Sequence, residues 1–267
     1  MDQQSKVAVV GAGIMGEALI AALISSGVNP ELITISEKRA DRSAELIAKY
    51  SIKQAPLTSN VAAADALLLV VKPQDMAGVL EEIKGSINPD AVVITFAAGK
   101  TISFISNGLA TGNPVIRVMP NTPTMVGAGM AAASMGAGVT EAHKQFVLGF
   151  LAATGKVIEV AEELQDAVTA TSGSGPAYFF AFVEAMVAGA KALGLSEQDA
   201  TTLTVQTIVG AAKLLDESGK SATTLRENVT SPNGTTAAAL ASFGSSDLNS
   251  MVAKAMKAAS DRSQELA

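Results

Sequence analysis

A chain of 267 residues with 48% hydrophobic and 16% charged side chains can bury a sizeable core and is too apolar to be disordered. Its formal net charge of −6 argues against a nucleic-acid binder, and a single histidine, His143, with no cysteine excludes a histidine-rich metal cage, a disulfide framework and thiolate chemistry. Ala66–Val71 is far short of the about 18–20 apolar residues of a membrane span, Glu17 interrupts Val7–Ile24, and Met1–Ser5 lacks the basic region of a signal peptide, so a cytoplasmic protein is expected.

Roughly the first 160 residues alternate short β-rich runs with helical stretches, the pattern of a mostly parallel, doubly wound sheet with crossover helices. Lys6–Val10 reads as the first strand, and Met15–Ser26 as a helix stopped by Gly27. Leu32–Ser36 follows as a strand, Ala40–Tyr50 as a helix, and Lys53–Ala55 as a short edge strand. Ala66–Val71 lacks polar alternation, so it is a central strand buried on both faces, ended by Lys72-Pro73. Val92–Phe96 repeats the theme and ends at Ala97-Ala98-Gly99. Pro114–Met119 is closed by Pro120-Asn121-Thr122-Pro123. Met130–Ser134 and Lys156–Val160 are the last strands, flanking a helix over Glu141–Thr154.

After about Glu162 the strand-like runs stop and helical periodicity takes over. Gln165–Leu193 predicts a long helix, kinked or restarted near Gly173-Ser174-Gly175-Pro176, because a mid-helix proline is costly. Ser196–Glu217 is a second long helix with Ser196 as its N-cap; Leu225–Val229, Thr235–Phe243 and Leu248–Leu266 complete the set. Two domains follow, an α/β domain over 1–162 and an all-α domain over 163–267. The helical half is apolar enough that a lone copy would struggle to cover its surface, which points to oligomerisation.

Val7–Val10 runs directly into Gly11-Ala12-Gly13-Ile14-Met15-Gly16, a complete G-x-G-x-x-G. With a strand before it, a helix after it and a second strand ending about twenty residues on, this is the dinucleotide fingerprint of a Rossmann domain. Gly11 permits the tight turn, Gly13 lets backbone N–H groups approach the pyrophosphate, and Gly16 lets helix and strand pack. Ile14 and Met15 open the helix whose N-terminus faces the phosphate charge. The competing reading is a glycine turn with no ligand, which leaves three backbone-entropy costs without return.

At the end of the second strand, Glu37 suits the ribose hydroxyls of NAD, whereas Ser36, Lys38 and Arg39 suit the 2′-phosphate of NADP. Two cations and a hydroxyl favour NADPH and leave NADH open. Ligands of such sheets lie at the carboxyl ends of the strands, which places Val71-Lys72-Pro73, Ala97-Ala98-Gly99 and Asn121 at the cofactor, with Asn60 beside them. Small residues at 97–99 leave room for a flat nicotinamide. Each is equally explained as turn chemistry when taken singly.

Ser231-Pro232-Asn233-Gly234-Thr235-Thr236 precedes an Ala-rich helix whose free N–H groups suit a carboxylate, although Ser231 or Thr235 acting as an ordinary N-cap is the simpler account from spacing alone. His143 reads as a surface residue. Glu162, Glu163 and Asp166 read as an acidic helix start. Tyr178-Phe179-Phe180 and Met186, Met251 and Met256 read as core or dimer packing.

Together these motifs resemble the pyrroline-5-carboxylate reductase family. Gly173-Ser174-Gly175-Pro176-Ala177-Tyr178 matches its G-S-G-P-A-Y segment, and Leu225–Thr236 resembles its signature, which usually ends S-P-G-G-T-T. Met119–Pro123 matches M-P-N-T-P, with Val71-Lys72-Pro73 and Ala97-Ala98-Gly99 in the expected order, so the resemblance spans nearly the whole chain. Asn233 stands where glycine is usual, a position where Asn tolerates positive φ better than most residues. The resemblance implies NAD(P)H-dependent reduction of the cyclic imine L-1-pyrroline-5-carboxylate to L-proline. It also implies a homodimer or higher homo-oligomer joined through the helical domain. Ser231, Gly234, Thr235 and Thr236 would hold the imino acid, with Thr236 against the ring nitrogen. A threonine hydroxyl is too weak an acid to be assumed the proton source; a pre-protonated imine or water serves equally.

Two rivals stay open at this level. A β-hydroxyacid dehydrogenase would carry a catalytic lysine on the first long helix of its second domain, where this chain has only Lys191, near the end. A nucleotide-sensing module without catalysis would have no use for a substrate-carboxylate loop.

Overall fold

The computed structural model describes residues 4–266. Residues 1–3, part of the stretch read for a signal peptide, and residue 267, the end of the expected second domain, lie outside the described residues. Strands β1 (Val7–Val10), β2 (Ile33–Ser36), β3 (Lys53–Gln54), β4 (Ala66–Leu69), β5 (Val92–Thr95), β6 (Val115–Met119), β7 (Gly129–Met135) and β8 (Gly155–Glu159) form one eight-stranded sheet ordered β3-β2-β1-β4-β5-β6-β7-β8. Neighbours are parallel except β6 and β7. The chain order reverses direction across the sheet between β1 and β4, the switch point at which such sheets open a ligand crevice.

Every residue of β1, β4 and β5 is buried, as runs without polar alternation require when both sheet faces are covered. The pleat sends Val7 and Val9 into one core layer and Ala8 and Val10 into the other. The first layer is filled from helices α1 (Ile14–Ser25), α2 (Ala40–Tyr50) and α6 (Glu141–Ala152) by Leu19, Leu23, Leu46 and Phe150. The second is filled from α3 (Leu57–Ala63), α4 (Met76–Ile83) and α5 (Ile102–Leu109) by Val61, Leu80 and Ile105. The sequence reading names none of α3, α4 and α5; helices of two turns are too short for the 3.6-residue period to stand out.

Beyond β8 come the short α7 (Gln165–Val168), a wide π turn at Thr169–Gly173 and α8 (Gly175–Ala192). The expected break at 173–176 is a fresh helix start: Pro176 sits in the first turn of α8, where its missing N–H costs nothing. Ser196 caps α9 (Glu197–Glu217) by accepting from the Asp199 N–H at 3.1 Å, and α10 (Ala222–Asn228), α11 (Thr235–Ser245) and α12 (Leu248–Glu265) follow.

The chain divides into two compact units, Met1–Ser174 together with Ala259–Ala267, and Gly175–Ala258. The division thus falls beyond the 162/163 boundary read from the sequence, because α7 and the end of α12 pack with the sheet unit. Between Gly175 and Ala258 only Gly175, Ala200 and Thr204 are buried. Phe179, Phe180, Leu203 and Met251 are each more than half exposed. Among the described residues no helix is long and apolar enough to cross a membrane.

Candidate functional site

The glycine turn sits at the carboxyl end of β1. Gly11 adopts φ +89°, open to glycine at little cost, and its N–H donates to the Ser36 carbonyl at 3.0 Å. Gly13 caps α1 in extended conformation, and a Cβ there would meet nothing within 4 Å. Gly16 is different. A Cβ on it would lie 2.4 Å from the Gly11 carbonyl oxygen, so its role is to let α1 close on the turn itself rather than on the strand. The first N–H groups of α1, from Ile14 and Met15, have no acceptor within the helix.

A cavity of about 730 Å³ opens beside this turn, lined by Gly11, Gly13, Glu37, Lys38, Val71 and Lys72 among others. Glu37 spends both carboxylate oxygens on backbone, accepting from the Ala12 N–H at 2.9 Å and the Arg39 N–H at 3.0 Å. The Ala12 N–H is therefore closed to a ligand, leaving the later amides of the turn to meet an anion. Lys38 lines the cavity, and the Arg39 side chain, 61% exposed, stands 4.0 Å from Glu37.

Three expected cofactor contacts, Ser36, Asn60 and Asn121, carry structural hydrogen bonds, and Ser36 also lines the cavity. The Ser36 hydroxyl donates to the Ala55 carbonyl at 3.1 Å and accepts from the Asn60 amide at 2.9 Å. Buried Asn60 gives its other amide hydrogen to the Thr34 carbonyl at 3.1 Å, bracing β2 from beneath. Asn121 is likewise committed: its amide donates to the Ser172 carbonyl at 3.1 Å, and its oxygen accepts from the Met130 N–H at 2.8 Å. At the end of β5, buried Ala97 and half-buried Ala98 lead into Gly99 at φ +74°. A Cβ on Gly99 would lie 2.6 Å from the Leu266 Cβ, so the close approach that demands glycine comes from the end of the chain. Val71 and Lys72 line the cavity wall, and Pro73 starts a 3₁₀ turn behind them.

In the helical unit, α11 begins at Gly234 with no side-chain cap. The N-cap expected from Ser231 or Thr235 is absent: the Ser231 carbonyl accepts the Gly234 N–H at 3.0 Å, and its hydroxyl lies where a Gly234 Cβ would go. Asn233 takes φ +59°, the left-handed turn its departure from glycine demanded. Ser231 and Thr235 are exposed and Thr236 is half-buried. The uncapped helix start leaves backbone N–H groups and the positive end of the helix dipole facing outward, beside two hydroxyls, an arrangement suited to a small carboxylate.

Other sequence readings change. Glu162 and Asp166 are not merely an acidic helix start. They flank the buried Arg117 guanidinium at 3.4 and 3.6 Å, while Glu162 also accepts the Ile102 N–H at 2.7 Å and Asp166 the Ser263 hydroxyl at 2.7 Å. His143 builds a capping box, its Nδ1 accepting the Thr140 N–H at 3.3 Å, and burial lowers its pKa. Lys191 pairs with Glu197 at 2.9 Å in the last turn of α8, which removes the support for a lysine-dependent dehydrogenase. No group of three or more His, Cys, Asp or Glu suited to a metal occurs among the described residues.

One feature of the turn escapes the sequence reading. Arg42 on α2 donates from Nε to the Ala12 carbonyl at 3.1 Å and pairs through its other nitrogens with Glu17 and Glu45. Lys49, ahead of Arg42 and Tyr50 and against the opposing effect of burial, holds the Glu17 carboxyl down at about 2. The trace in the sequence is Glu17 itself, a charge in the first turn of an otherwise apolar helix.

Comparison with known proteins agrees with this architecture. A family model described as pyrroline-5-carboxylate reductase dimerisation matches residues 162–266, and one described as NADP oxidoreductase, coenzyme F420-dependent, matches residues 6–99. The pyrroline-5-carboxylate reductase of Corynebacterium melassecola is 40% identical over 264 residues, covering 97% of this chain and 98% of its own. Among solved structures, the pyrroline-5-carboxylate reductase of Coxiella burnetii superposes with a TM-score of 0.90 at 34% identity, over 99% of both chains. The Plasmodium falciparum pyrroline carboxylate reductase, with NADP bound, superposes at 0.89 and 26% identity, over 100% of this chain and 99% of its own. The chain belongs to the pyrroline-5-carboxylate reductase family.

Proposed function

We propose that this chain reduces L-1-pyrroline-5-carboxylate to L-proline with NADPH, the closing step of proline biosynthesis. The observation that carries the reading is the start of α11, a helix N-terminus with no side-chain cap, preceded by Ser231 and followed by Thr235 and Thr236. With the Gly234 N–H spent on Ser231, the helix start has the N–H groups of Thr235, Thr236 and Ala237 to offer, and the substrate's carboxylate is the group that would use them. Gly234 makes room for the Ser231 hydroxyl against the backbone, and Thr236 is assigned to the ring nitrogen.

The cavity fits a dinucleotide. Space beside Gly13 admits a phosphate, and Lys38 and Arg39 at the far end of β2 suit a 2′-phosphate. Glu37, with its carboxylate already turned to backbone, opposes NADPH less than a free carboxylate would and leaves NADH as the second cofactor. In this reading Gly11, Gly13, Ile14, Met15, Gly16, Val71, Lys72, Pro73, Ala97, Ala98 and Gly99 form the cofactor wall. When bound, NADPH supplies the hydride that saturates the C=N carbon. The protein's part is orientation: it holds the carboxylate at α11 and accepts or donates a hydrogen bond at the ring nitrogen through Thr236. One proton accompanies the hydride, carried by the iminium or delivered by water.

The exposed aromatic and aliphatic face of Gly175–Ala258, more than a single copy can leave in water, supports a homodimer or larger homo-oligomer in the cytoplasm. The test follows loss of NADPH absorbance with the cyclic imine. Turnover is expected; none, with the protein folded, overturns the proposal. Thr236→Ala should lower kcat/KM for the imine about a hundredfold, the scale of one lost transition-state hydrogen bond, with NADPH affinity held. Equal loss of both would make the loop structural.

A further inference from the structure

The peptide unit between Ala12 and Gly13 is planar and trans, so its carbonyl and its N–H point in opposite directions. Arg42 Nε holds the carbonyl at 3.1 Å, which turns the Gly13 N–H away from Arg42; Gly13 itself lines the cavity. Packing does not fix this peptide from the glycine side, because even an added Cβ on Gly13 would touch nothing within 4 Å. Glycine leaves the torsion free. The guanidinium supplies what sterics omit.

Arg42 cannot swing away. Its side chain is 11% exposed, Nη1 donates to Glu45 at 2.7 Å, and Nη2 donates to Glu17. The other Glu17 oxygen accepts from Lys49 at 2.8 Å and Tyr50 at 3.0 Å, tying α1 to α2. On the other side, Glu37 holds the Ala12 N–H, so both peptides flanking Ala12 are held by side chains from outside the turn. Two cations and two carboxylates meet around Arg42, so their charges offset and leave little net attraction for an anion. Geometry is what remains.

We propose that Arg42, braced by Glu17, is a positioning residue that presents the Gly13 amide to the cofactor pyrophosphate by locking the Ala12–Gly13 peptide. The inference rests on the cavity being the dinucleotide site. It is tested on the full chain by titrating NADPH fluorescence, measuring KM and kcat for both substrates, and recording thermal midpoints. Arg42→Ala should weaken NADPH binding about tenfold, on the scale of one charge-assisted hydrogen bond, with the loss falling on the NADPH KM rather than on kcat. Added guanidinium should restore it. Arg42→Lys should not, because one ammonium cannot make the planar fork.

Glu17→Gln separates position from charge and keeps the shape should Arg42→Ala fold poorly. It leaves the guanidinium less neutralised, so an attractive role would tighten NADPH, whereas a positioning role weakens it. Lys84→Ala, an exposed residue at the C-cap just past α4, should leave affinity unchanged. Wild-type binding with Arg42→Ala within twofold of it, a tighter Glu17→Gln, or a loss shared equally by kcat and thermal midpoint overturns the proposal. Failure of the wild type to bind NADPH overturns the cofactor reading and this inference with it.

Discussion

Replacing Gly16 by alanine sets a Cβ 2.4 Å from the Gly11 carbonyl oxygen and 3.2 Å from its carbon. An unstrained carbon–oxygen contact needs about 3.3 Å, so about 1 Å of backbone movement must be found. Gly11 has nowhere to go: its N–H is bonded to Ser36, and the Val70 backbone lies 3.0 Å from where its own Cβ would be. Overpacking of this kind costs about 1–3 kcal/mol, and with only backbone to yield the upper end applies. Alanine returns about 1 kcal/mol of helix propensity. The net loss is then about 2 kcal/mol, or a fall in NADPH affinity of about thirtyfold if the turn opens instead. Gly13→Ala is the matched control, since its Cβ meets nothing and its φ of −66° suits any residue. It should leave stability within about 0.5 kcal/mol while lowering NADPH affinity at least about tenfold by filling the space of the phosphate. Urea unfolding midpoints and NADPH fluorescence titrations read both. Gly16→Ala with unchanged midpoint and affinity, or Gly13→Ala as the more destabilised of the pair, refutes this division of labour.

Arg117→Met removes a side chain 6% exposed and unpairs Glu162 and Asp166. Both carboxylates keep another hydrogen bond and partial solvent, so the cost is about 2 kcal/mol rather than the about 3–5 of a fully buried pair, read as a lower urea midpoint; an unchanged midpoint rejects it. Glu17 titrates at about 2 in the folded chain against 4.5 ordinarily, so the unfolded chain binds the proton first on acidification. Its contribution is fully present above about pH 5 and is lost as pH falls from there toward 2. Glu17→Gln should flatten stability against pH in that window, and an identical acid limb refutes the assignment. Phe179→Glu with Phe180→Glu charges a face that is 59% and 62% exposed in one copy. Sedimentation should show monomer where the parent is a dimer or larger, and an unchanged size places the interface elsewhere.

Much of the sheet unit was legible from residue pattern alone. Ala66–Leu69 and Val92–Thr95 declare themselves as central strands by having no polar alternation, and Gly11–Gly16 declares the turn because its glycines follow a strand and open a helix. The restart at Gly175-Pro176 and the Ser196 cap are local events, set by one missing N–H and one hydroxyl. Local chemistry reads locally. What the sequence could not decide is every contact between residues distant along the chain. Ser36 and Asn121 are polar residues at or just past strand ends and Asn60 was set beside them, so the reading placed all three at the cofactor; the fold also gives their side chains hydrogen bonds to Ala55, Thr34, Ser172 and Met130. Gly99 looked like room for a ring, yet Leu266 occupies the space its Cβ would need. The grip of Arg42 and Glu37 on Ala12 spans 30 and 25 residues and has no periodicity to betray it. The sequence by itself determined which backbone segments become strand, turn and helix, because propensity and pattern act within a few residues. Only the tertiary structure decided which polar side chains also brace the backbone, because those hydrogen bonds join residues distant along the chain.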